Sequence, residues 1–414
     1  MDRKKLFSNI LNLVFGSGLA QFLPLAVSPL LTRMYLPEHF GGFTFFYSLI
    51  TLLGIVSSGL FEYAILKPKK VGEAFNILLI TNLLSIGFSC FLAVFLLIFG
   101  EMLLTLMPES FDWKILMMLP FGILFYVQFQ SVTYWLTRLN KFRLISMIKI
   151  SQGVILSVGS VLLGYFSFNS YGLIISVVVS YLFGTYYLGY FIHRLRSEID
   201  LKGSISLMKK YIEYPKYIMP SSLVNTFASQ SPVYFIGNYF GDTILGFYSF
   251  ANRILVAPVG IISSSIGQVY FKDLSNQINF SPSTVPSFFY KMILILTGLS
   301  LIIFVPVIIW GETLFSFFFG MEWGQSGQFS KILSVALLTR FIVSPLSTTL
   351  IAYSKSKILS IWQISYFVSS LIAIFILKDF SFTLFLVGLV CNDVLMYFIY
   401  FLFIRSAIIQ NKVS

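Results

Sequence analysis

Long apolar stretches separated by short polar segments cover almost the whole chain. Each is about 20 residues long, the length that an α-helix needs to cross the hydrocarbon core of a bilayer. Twelve such stretches are predicted, at residues 11–31, 43–65, 75–99, 115–136, 144–166, 171–192, 217–240, 243–268, 291–311, 328–352, 358–377 and 382–404. The pattern therefore predicts an all-α polytopic membrane protein with twelve transmembrane helices.

The longest polar interval, about 193–216, follows the sixth stretch and divides the chain into lobes 1–205 and 206–414. Two short motifs of the first half recur in the second: Gly42-Phe43 as Gly246-Phe247, and Lys141-x-Arg143-x-x-Ser146 as Lys355-x-Lys357-x-x-Ser360. We therefore expect a parallel pseudo-repeat, with two six-helix lobes around a central cavity. Such repeats are typical of alternating-access transporters, whose binding site lies between the halves.

Composition and charge support a membrane protein and set its orientation. The chain is 57% hydrophobic and 11% charged, and its formal net charge is +12. With the N-terminus in the cytoplasm, 22 of the 28 Lys and Arg residues fall on the cytoplasmic side. Four fall on the outer side and two in mid-membrane: Arg33, Lys114, Lys331 and Lys378, and then Arg253 and Arg340. The positive-inside rule thus places both termini in the cytoplasm, and the excess charge reflects topology and not nucleic-acid binding.

Arg253 lies in the middle of the eighth stretch, in the run YSFANRILVAP. A charge at mid-bilayer costs about 2.5–3.5 kcal/mol on insertion scales, so it must face protein or water. On a helical wheel every residue near its direction is small: Gly246, Ser249, Ala257, Gly260, Ser264 and Gly267. This stripe is consistent with a close helix–helix seam in which Arg253 is paired. It is equally consistent with the wall of a hydrated cavity where the guanidinium meets an anion.

Four further ionisable residues lie inside apolar stretches. Arg340 is in the tenth stretch, and Asp393 in the twelfth is either the partner of one arginine or a proton or cation site. Glu62 lies near the cytoplasmic end of the second helix. Lys149 begins the fifth helix on a polar face, where it either lines a cavity or extends to the interface.

The first and seventh helices are the least apolar of the twelve. Both contain prolines, which bend helices and leave backbone carbonyl groups without a hydrogen-bond donor. Polar groups in a cavity could donate to these carbonyls. The predicted cavity-lining polar residues, including one from the eighth helix, are Gln21, Ser222, Asn225, Ser229 and Ser249.

The sequence offers little material for metal or nucleotide chemistry. It has two histidines and two cysteines, and Cys90 and Cys391 both lie inside apolar segments, where we interpret them as packing residues. No GxxxxGK[ST] loop occurs. We therefore expect no metal site, no cofactor and no catalytic triad.

Four segments carry a resemblance to a known family. FEYAILKPKKVGEAFN (61–76), YWLTRLNKFRLI (134–145), the stretch 214–271 and MEWGQSGQFSKILSVALLTRFIVSPLSTTLIA (321–352) resemble segments of bacterial oligosaccharide flippases. These belong to the O-antigen or capsule repeat-unit branch of the multidrug/oligosaccharidyl-lipid/polysaccharide exporter superfamily. The segments occur in order over nearly the whole chain.

The resemblance implies a flippase that moves undecaprenyl-diphosphate-linked oligosaccharides across the bacterial inner membrane. It implies a lipid-linked oligosaccharide substrate, contacts with membrane lipids, and a polymerase and glycosyltransferases of the same pathway as partners. It also implies a cationic central cavity, for which the candidates are Arg253, Arg340, Arg33 and Lys149. Asp393 and Glu62 are the candidates for ion coupling or charge pairing. The alternatives are an organic-cation antiporter of the same superfamily and an integral membrane enzyme of glycan assembly.

Overall fold

The structure is a computed structural model that describes residues 18, 20–105, 107–353 and 355–410. Its regular elements within these ranges are helices, and no strand occurs among them. The main helices are α1 (Ala20–Leu31), α2 (Pro37–Ser58), α3 (Phe61–Ala64), α4 (Val71–Leu104), α5 (Trp113–Arg138), α6 (Phe142–Tyr165), α7 (Asn169–Ser180), α8 (Leu182–Arg194), α9 (Leu201–Lys210), α10 (Met219–Phe280), α11 (Val285–Phe319), α12 (Gly324–Leu346), α13 (Thr348–Ala352), α14 (Ser356–Leu377) and α15 (Phe382–Gln410).

Within the described ranges, nine helical segments are long and apolar enough to cross a membrane, and each coincides with one predicted stretch. They are Pro37–Ser58, Val71–Leu104, Trp113–Arg138, Phe142–Tyr165, Asn169–Arg194, Pro282–Phe319, Met321–Ala352, Lys357–Leu377 and Phe382–Ile409. The predicted stretch 11–31 is described only from residue 18 onward, without residue 19. The stretches 217–240 and 243–268 together form α10. The chain is thus a multi-pass helical membrane protein, and the count of twelve helices stays a prediction.

Large apolar side chains cover the outer surfaces of the spanning helices. Leu97 and Ile98 in α4 are 65% and 67% exposed, and Ile302 in α11 is 74% exposed. Such surfaces are unfavourable in water but match the hydrocarbon of a bilayer. Cys90 and Cys391 are also exposed, so their prediction as packing residues is wrong. An apolar segment of a membrane helix can face lipid as readily as protein, and sequence alone does not separate the two.

The second predicted helix ends earlier than expected. It was predicted over 43–65, but α2 stops at Ser58, because Gly59 (φ 59°) and Leu60 (φ 57°) both adopt left-handed backbone conformations. Glycine after the last helical turn is the common signal for such a stop. Glu62 therefore lies in the separate short helix α3, just beyond the membrane span.

Helix α10 is broken at Gly241, whose φ of 83° and ψ of 171° interrupt the helix. Glycine tolerates this conformation because it lacks a Cβ atom. The break separates residues 219–240 from 242–280, where the sequence predicts the boundary between two helices. The chain divides into two compact units, unit 1 (Met1–Gly246) and unit 2 (Phe247–Ser414), which are described separately below. A functional lobe boundary at residues 205/206 stays a prediction.

Aromatic side chains form the core of each unit. In unit 1, Trp135 of α5 is fully buried, with ring centroids 5.7 Å from Phe75 and 6.0 Å from Phe191. In unit 2, Phe250 lies 4.5 Å from Trp323 and 4.9 Å from Phe319. These contacts join α4, α5 and α8 in the first case, and α10, α11 and the turn before α12 in the second.

Candidate functional site

Arg340 and Asp393 form an ion pair in unit 2. The Arg340 Nη2 atom on α12 donates to Asp393 Oδ2 on α15 at 2.7 Å and to the hydroxyl oxygen of Tyr366 on α14 at 2.5 Å. The Tyr366 hydroxyl in turn donates to Asp393 Oδ1 at 2.6 Å. Three helices thus meet through one charged cluster. Asp393 is therefore paired with Arg340, one of the two arginines predicted in mid-membrane.

Aromatic rings surround this pair. The guanidinium carbon lies 5.5 Å from the ring centroid of Tyr397 and 5.9 Å from that of Tyr366. Behind them, Trp362 stacks on Tyr400 at 3.9 Å and donates its Nε1–H to the Met396 carbonyl at 2.8 Å. We name Arg340, Tyr366, Asp393 and Tyr397 the Arg340 cluster. Sequence reasoning missed Tyr366 and Trp362, although their spacing of four residues on one helix face was an available signal.

The guanidinium in the Arg340 cluster keeps unused hydrogen-bonding capacity. Both of its hydrogen bonds come from Nη2, whereas Nε is buried without a hydrogen-bond partner among the described residues. Arginine has five N–H donors in a planar fork that suits carboxylate and phosphate oxygens. The side chain of Arg340 is 36% exposed and that of Asp393 17%. The guanidinium therefore keeps N–H donors that Asp393 and Tyr366 do not use.

An apolar groove with a volume of about 660 Å³ adjoins the Arg340 cluster. It lies between α11, α12 and α15, and its lining residues are Ile293, Val335, Thr339, Ile342, Val343, Val390, Cys391, Val394, Leu395, Tyr397, Phe398 and Phe401. Tyr397 belongs to both the groove and the cluster. Thr339 and Val394 are the chain neighbours of Arg340 and Asp393. The Arg340 cluster and the apolar groove are thus adjacent.

Arg253 lies on α10 in unit 2, partly buried and engaged by a neighbouring group. Along the predicted small-residue stripe, a Cβ atom on Gly246 would come within 1.7 Å of the Pro37 carbonyl oxygen. No atom lies within 4 Å of the same position on Gly260. Ser249 is buried, and its hydroxyl has no partner among the described residues. The stripe is therefore tightly packed at Gly246 and open at Gly260, and at Gly267 a Cβ atom would lie 3.5 Å from the Pro345 Cα atom.

Glu62 lies in unit 1 against a small cavity of about 190 Å³, the Glu62 cavity. Its lining includes Thr51, Gly54, Leu60, Tyr63, Tyr126, Val127, Gln130, Tyr134 and Thr226. Glu62 is 7% exposed, and its Oε2 atom has no hydrogen-bond partner among the described residues. Burial raises the pKa of Glu62 to about 7, although hydrogen bonds from its own backbone and from Ser58 act in the opposite direction. This carboxyl group can therefore change protonation near neutral pH.

Unit 1 also contains a large polar cavity, the acidic cavity, with a volume of about 1110 Å³. It is lined by Glu38, His39, Thr105, Met107, Pro108, Glu109, Ser110, Ile115, Asn169, Ser170, Tyr171, Phe227, Tyr234, Phe235, Gly237, Asn238, Tyr239, Phe240, Gly241, Asp242 and Thr243. None of the predicted site residues lines it. Its acidic residues, Glu38, Glu109 and Asp242, lie between the predicted transmembrane stretches, so no charge inside a stretch pointed to this cavity.

The other predicted site residues lie in unit 1. Gln21, Asn225 and Ser229 are exposed, Ser222 is partly buried, and Arg33 is exposed near the end of α1. Lys149 in α6 is partly buried and engaged by a neighbouring group. Among the described residues, no group of three or more His, Cys, Asp and Glu side chains could hold a metal ion. The roles assigned to all these residues stay predictions.

Sequence comparison relates the chain to polysaccharide assembly. A profile of the polysaccharide biosynthesis protein family matches residues 30–328. The teichuronic acid biosynthesis protein TuaB of Bacillus subtilis (strain 168) is 22% identical over 40% of the chain, and the capsular polysaccharide biosynthesis protein CapF of Staphylococcus aureus is 31% identical over 40%. The succinoglycan biosynthesis transport protein ExoT of Rhizobium meliloti (strain 1021) is 24% identical over 77%. The chain spans 33%, 40% and 63% of the lengths of these relatives.

Solved structures show the fold. A multidrug resistance MATE family transporter of the MOP superfamily, in an inward-facing conformation, has a TM-score of 0.66 at 13% identity, covering 95% of this chain and 96% of that one. The lipid II flippase MurJ, in an inward closed conformation, has a TM-score of 0.66 at 15% identity, covering 96% and 86%. The chain belongs to the polysaccharide biosynthesis protein family and has the membrane-transporter fold of the multidrug/oligosaccharidyl-lipid/polysaccharide exporter superfamily.

Proposed function

We propose that the protein is a flippase for undecaprenyl-diphosphate-linked glycan repeat units. It moves them from the cytoplasmic to the periplasmic leaflet of the bacterial inner membrane, with both of its own termini in the cytoplasm. Twelve helices in two six-helix lobes, 1–205 and 206–414, alternate access to a central site. Rocking of two such halves about a midplane site is the general mechanism of repeat-built transporters.

The observation that carries this proposal is the Arg340 cluster beside the apolar groove. A lipid-linked glycan has a diphosphate, which arginine binds well, and a long apolar chain. The free side of the Arg340 guanidinium supplies donors for the diphosphate. The groove, which shares Tyr397 with the cluster, supplies an apolar path for the lipid. Asp393 keeps the arginine oriented and partly neutralised in the membrane until the substrate arrives.

Two further observations support the proposal. The relatives with curated names act in teichuronic acid, capsular polysaccharide and succinoglycan biosynthesis, and one of the proteins that share the fold is a lipid II flippase. The Glu62 cavity supplies a carboxyl group whose pKa of about 7 suits proton coupling. Arg253, Arg33 and Lys149 are further candidates for contact with the anionic substrate.

An organic-cation antiporter is the second candidate function. The acidic cavity favours it, because carboxylates and aromatic rings together are the usual recognition elements for organic cations. A MATE family multidrug transporter also shares the fold. In that reading the Arg340 cluster is a structural ion pair and does not bind substrate.

Deletion of the gene from its native bacterium separates the two functions. The flippase proposal expects loss of surface glycan, accumulation of lipid-linked repeat units in the cytoplasmic leaflet, and full recovery on expression of the wild-type chain. Unchanged surface glycan together with raised sensitivity to cationic drugs would instead establish the antiporter. The control is deletion in a strain that lacks the first glycosyltransferase of the pathway, where no repeat unit exists to accumulate.

A further inference from the structure

The acidic cavity lies entirely in unit 1 and is lined by four places where the chain turns between helices, and by the part of α10 that leads to the last of them. The four turns are the start of α2, the segment between α4 and α5, the start of α7, and the break in α10 at Gly241, and Phe227, Tyr234 and Phe235 of α10 complete the lining. By the distribution of Lys and Arg, all four lie on the side opposite the basic connections. Its volume of about 1110 Å³ exceeds the range of about 300–1,000 Å³ that is common for small-molecule sites. It has room for more than one sugar ring.

The charge of this cavity has a single sign. Glu38, Glu109 and Asp242 line it, and neither lysine nor arginine occurs among its described lining residues. Three carboxylates around one concavity concentrate negative potential, because a low-dielectric wall focuses the field. A diphosphate or a uronic acid would be repelled here, whereas a positively charged group would be attracted.

Asp242 is the buried member of this set. It is 9% exposed, and its Oδ2 atom accepts a hydrogen bond from the Ser110 backbone N–H at 2.7 Å. Its Oδ1 atom is also buried and has no hydrogen-bond partner among the described residues. Burial raises the pKa of Asp242, while the hydrogen bond from the Ser110 backbone lowers it and nearby Glu109 and Glu38 raise it further. A buried carboxylate oxygen without a donor is costly, and a cationic ligand would supply that donor.

Aromatic and amide groups complete the lining. Tyr234 and Phe227 stack with ring centroids 5.8 Å apart, and Tyr171 and Tyr239 add further rings. Asn169 and Asn238 add amide donors and acceptors. Aromatic faces attract ammonium groups and pack against the C–H faces of sugars. Carboxylates, rings and amides in one cavity therefore fit a ligand that is both polyhydroxylated and positively charged.

We propose that the acidic cavity is a binding site for an ammonium group, carried by an amino sugar of the transported glycan, with Asp242 as its principal partner. The assignment rests on the proposed flippase function. It also predicts the specificity of the protein: glycans with free amino groups are accepted, neutral ones bind more weakly, and uronic-acid glycans are excluded.

Binding of defined probes to the purified full chain in lipid nanodiscs tests this assignment. The probes are a β-1,4-linked glucosamine trimer, its fully N-acetylated counterpart, and a galacturonic acid trimer, with tetraphenylphosphonium as an organic cation without sugar. Isothermal titration calorimetry at low salt is expected to show the glucosamine trimer binding about tenfold or more tightly than the N-acetylated trimer. The galacturonic acid trimer is expected not to bind.

Two variants identify the cavity as the site. Asp242→Asn and Glu109→Gln should each weaken binding of the glucosamine trimer by about tenfold, the usual effect of losing one charge-assisted hydrogen bond. Glu109 is exposed, so its variant keeps the test valid even if Asp242→Asn folds poorly. Glu101→Gln is the matched control, since Glu101 is an exposed carboxylate of α4 that does not line the cavity. It should leave binding unchanged.

The outcomes distinguish this assignment from the proposed function. Equal binding of the amino and uronic trimers, or unchanged binding in both cavity variants, overturns the assignment while leaving the gene-deletion result unaffected. Binding of tetraphenylphosphonium that Asp242→Asn abolishes, with no binding of any sugar, would identify a free organic cation as the ligand and overturn the glycan assignment. Loss of surface glycan on deletion would then still support the flippase.

Discussion

Removal of the Asp393 carboxylate is the most informative perturbation of unit 2. Asp393 accepts hydrogen bonds from both Arg340 and Tyr366, so Asp393→Ala leaves a partly buried guanidinium and a tyrosine hydroxyl without their acceptor. Arg340→Ala instead leaves the Asp393 carboxylate without its positively charged partner. Replacing both residues by alanine removes both charges together. The three variants form a double-mutant cycle that isolates the interaction between the two side chains.

The expected magnitude follows from the exposure of the pair. An exposed ion pair adds about 0.2–1 kcal/mol to the free energy of unfolding, whereas removing one partner of a buried pair lowers it by about 3–5 kcal/mol. Arg340 is 36% and Asp393 17% exposed, so the pair lies between these limits. We expect Asp393→Ala to lower the free energy of unfolding by about 2 kcal/mol. An unfolding entropy of about 2.1 cal/mol/K per residue then gives a loss of about 2 °C in Tm for a chain of 414 residues. The double variant should cost less than the sum of the single ones.

The assay combines thermal unfolding of the purified variants in nanodiscs with surface glycan display in the deletion strain. If Arg340 binds the diphosphate, the double alanine variant recovers much of its Tm but displays no glycan. Arg340→Lys should retain part of the display, because lysine keeps the charge but loses the planar fork. Membrane insertion of each variant is checked by its abundance in the membrane fraction.

A charge swap provides the refutation. Arg340→Asp combined with Asp393→Arg keeps an ion pair but moves the guanidinium from α12 to α15. Normal display in this swapped protein would show that only the pair matters, and that Arg340 does not bind substrate at a defined position. Restored Tm without display is the result that supports the proposal.

Three further predictions concern other parts of the molecule. Burial in the folded state raises the pKa of Glu62 from 4.5 to about 7. The free energy of unfolding should therefore fall by on the order of 3 kcal/mol as pH rises from about 4.5 to about 7. Glu62→Gln should remove this dependence on pH, as measured by urea unfolding at several pH values. Val394→Trp should fill the apolar groove and reduce photo-crosslinking to a diazirine-bearing undecaprenyl phosphate, whereas Leu97→Trp, at a lipid-facing position, should not. Gly246→Ala should reduce thermal stability through a clash with backbone, and Gly260→Ala should not.

Each of these predictions has a contradicting result. If the free energy of unfolding of Glu62→Gln depended on pH as strongly as that of the wild type, another group would be responsible for the dependence. Equal crosslinking of the two tryptophan variants would exclude the groove as the lipid path. Equal loss of stability in the two alanine variants would mean that the small residues of α10 matter through helix flexibility and not through close packing.

The sequence alone located nine helices that are long and apolar enough to cross a membrane, and it showed how polar each of them is. Nine predicted stretches coincide with helices, and the break at Gly241 falls where one helix was expected to end and the next to begin. This success has a simple physical basis, because spanning length and apolar composition are local properties of about 20 residues. The rare charges within those stretches, Arg340 and Asp393 among them, were visible for the same reason.

Only the tertiary structure decided which of those charges meet and what surrounds them. The sequence left Asp393 open to either Arg253 or Arg340, and three helices had to pack before the pair with Arg340 and the aromatic wall of Tyr366 and Tyr397 existed. The acidic cavity is assembled from turns between helices and from part of α10, which lie far apart in sequence. Long-range packing, which no local pattern encodes, thus sets the signs and positions of the proposed binding sites.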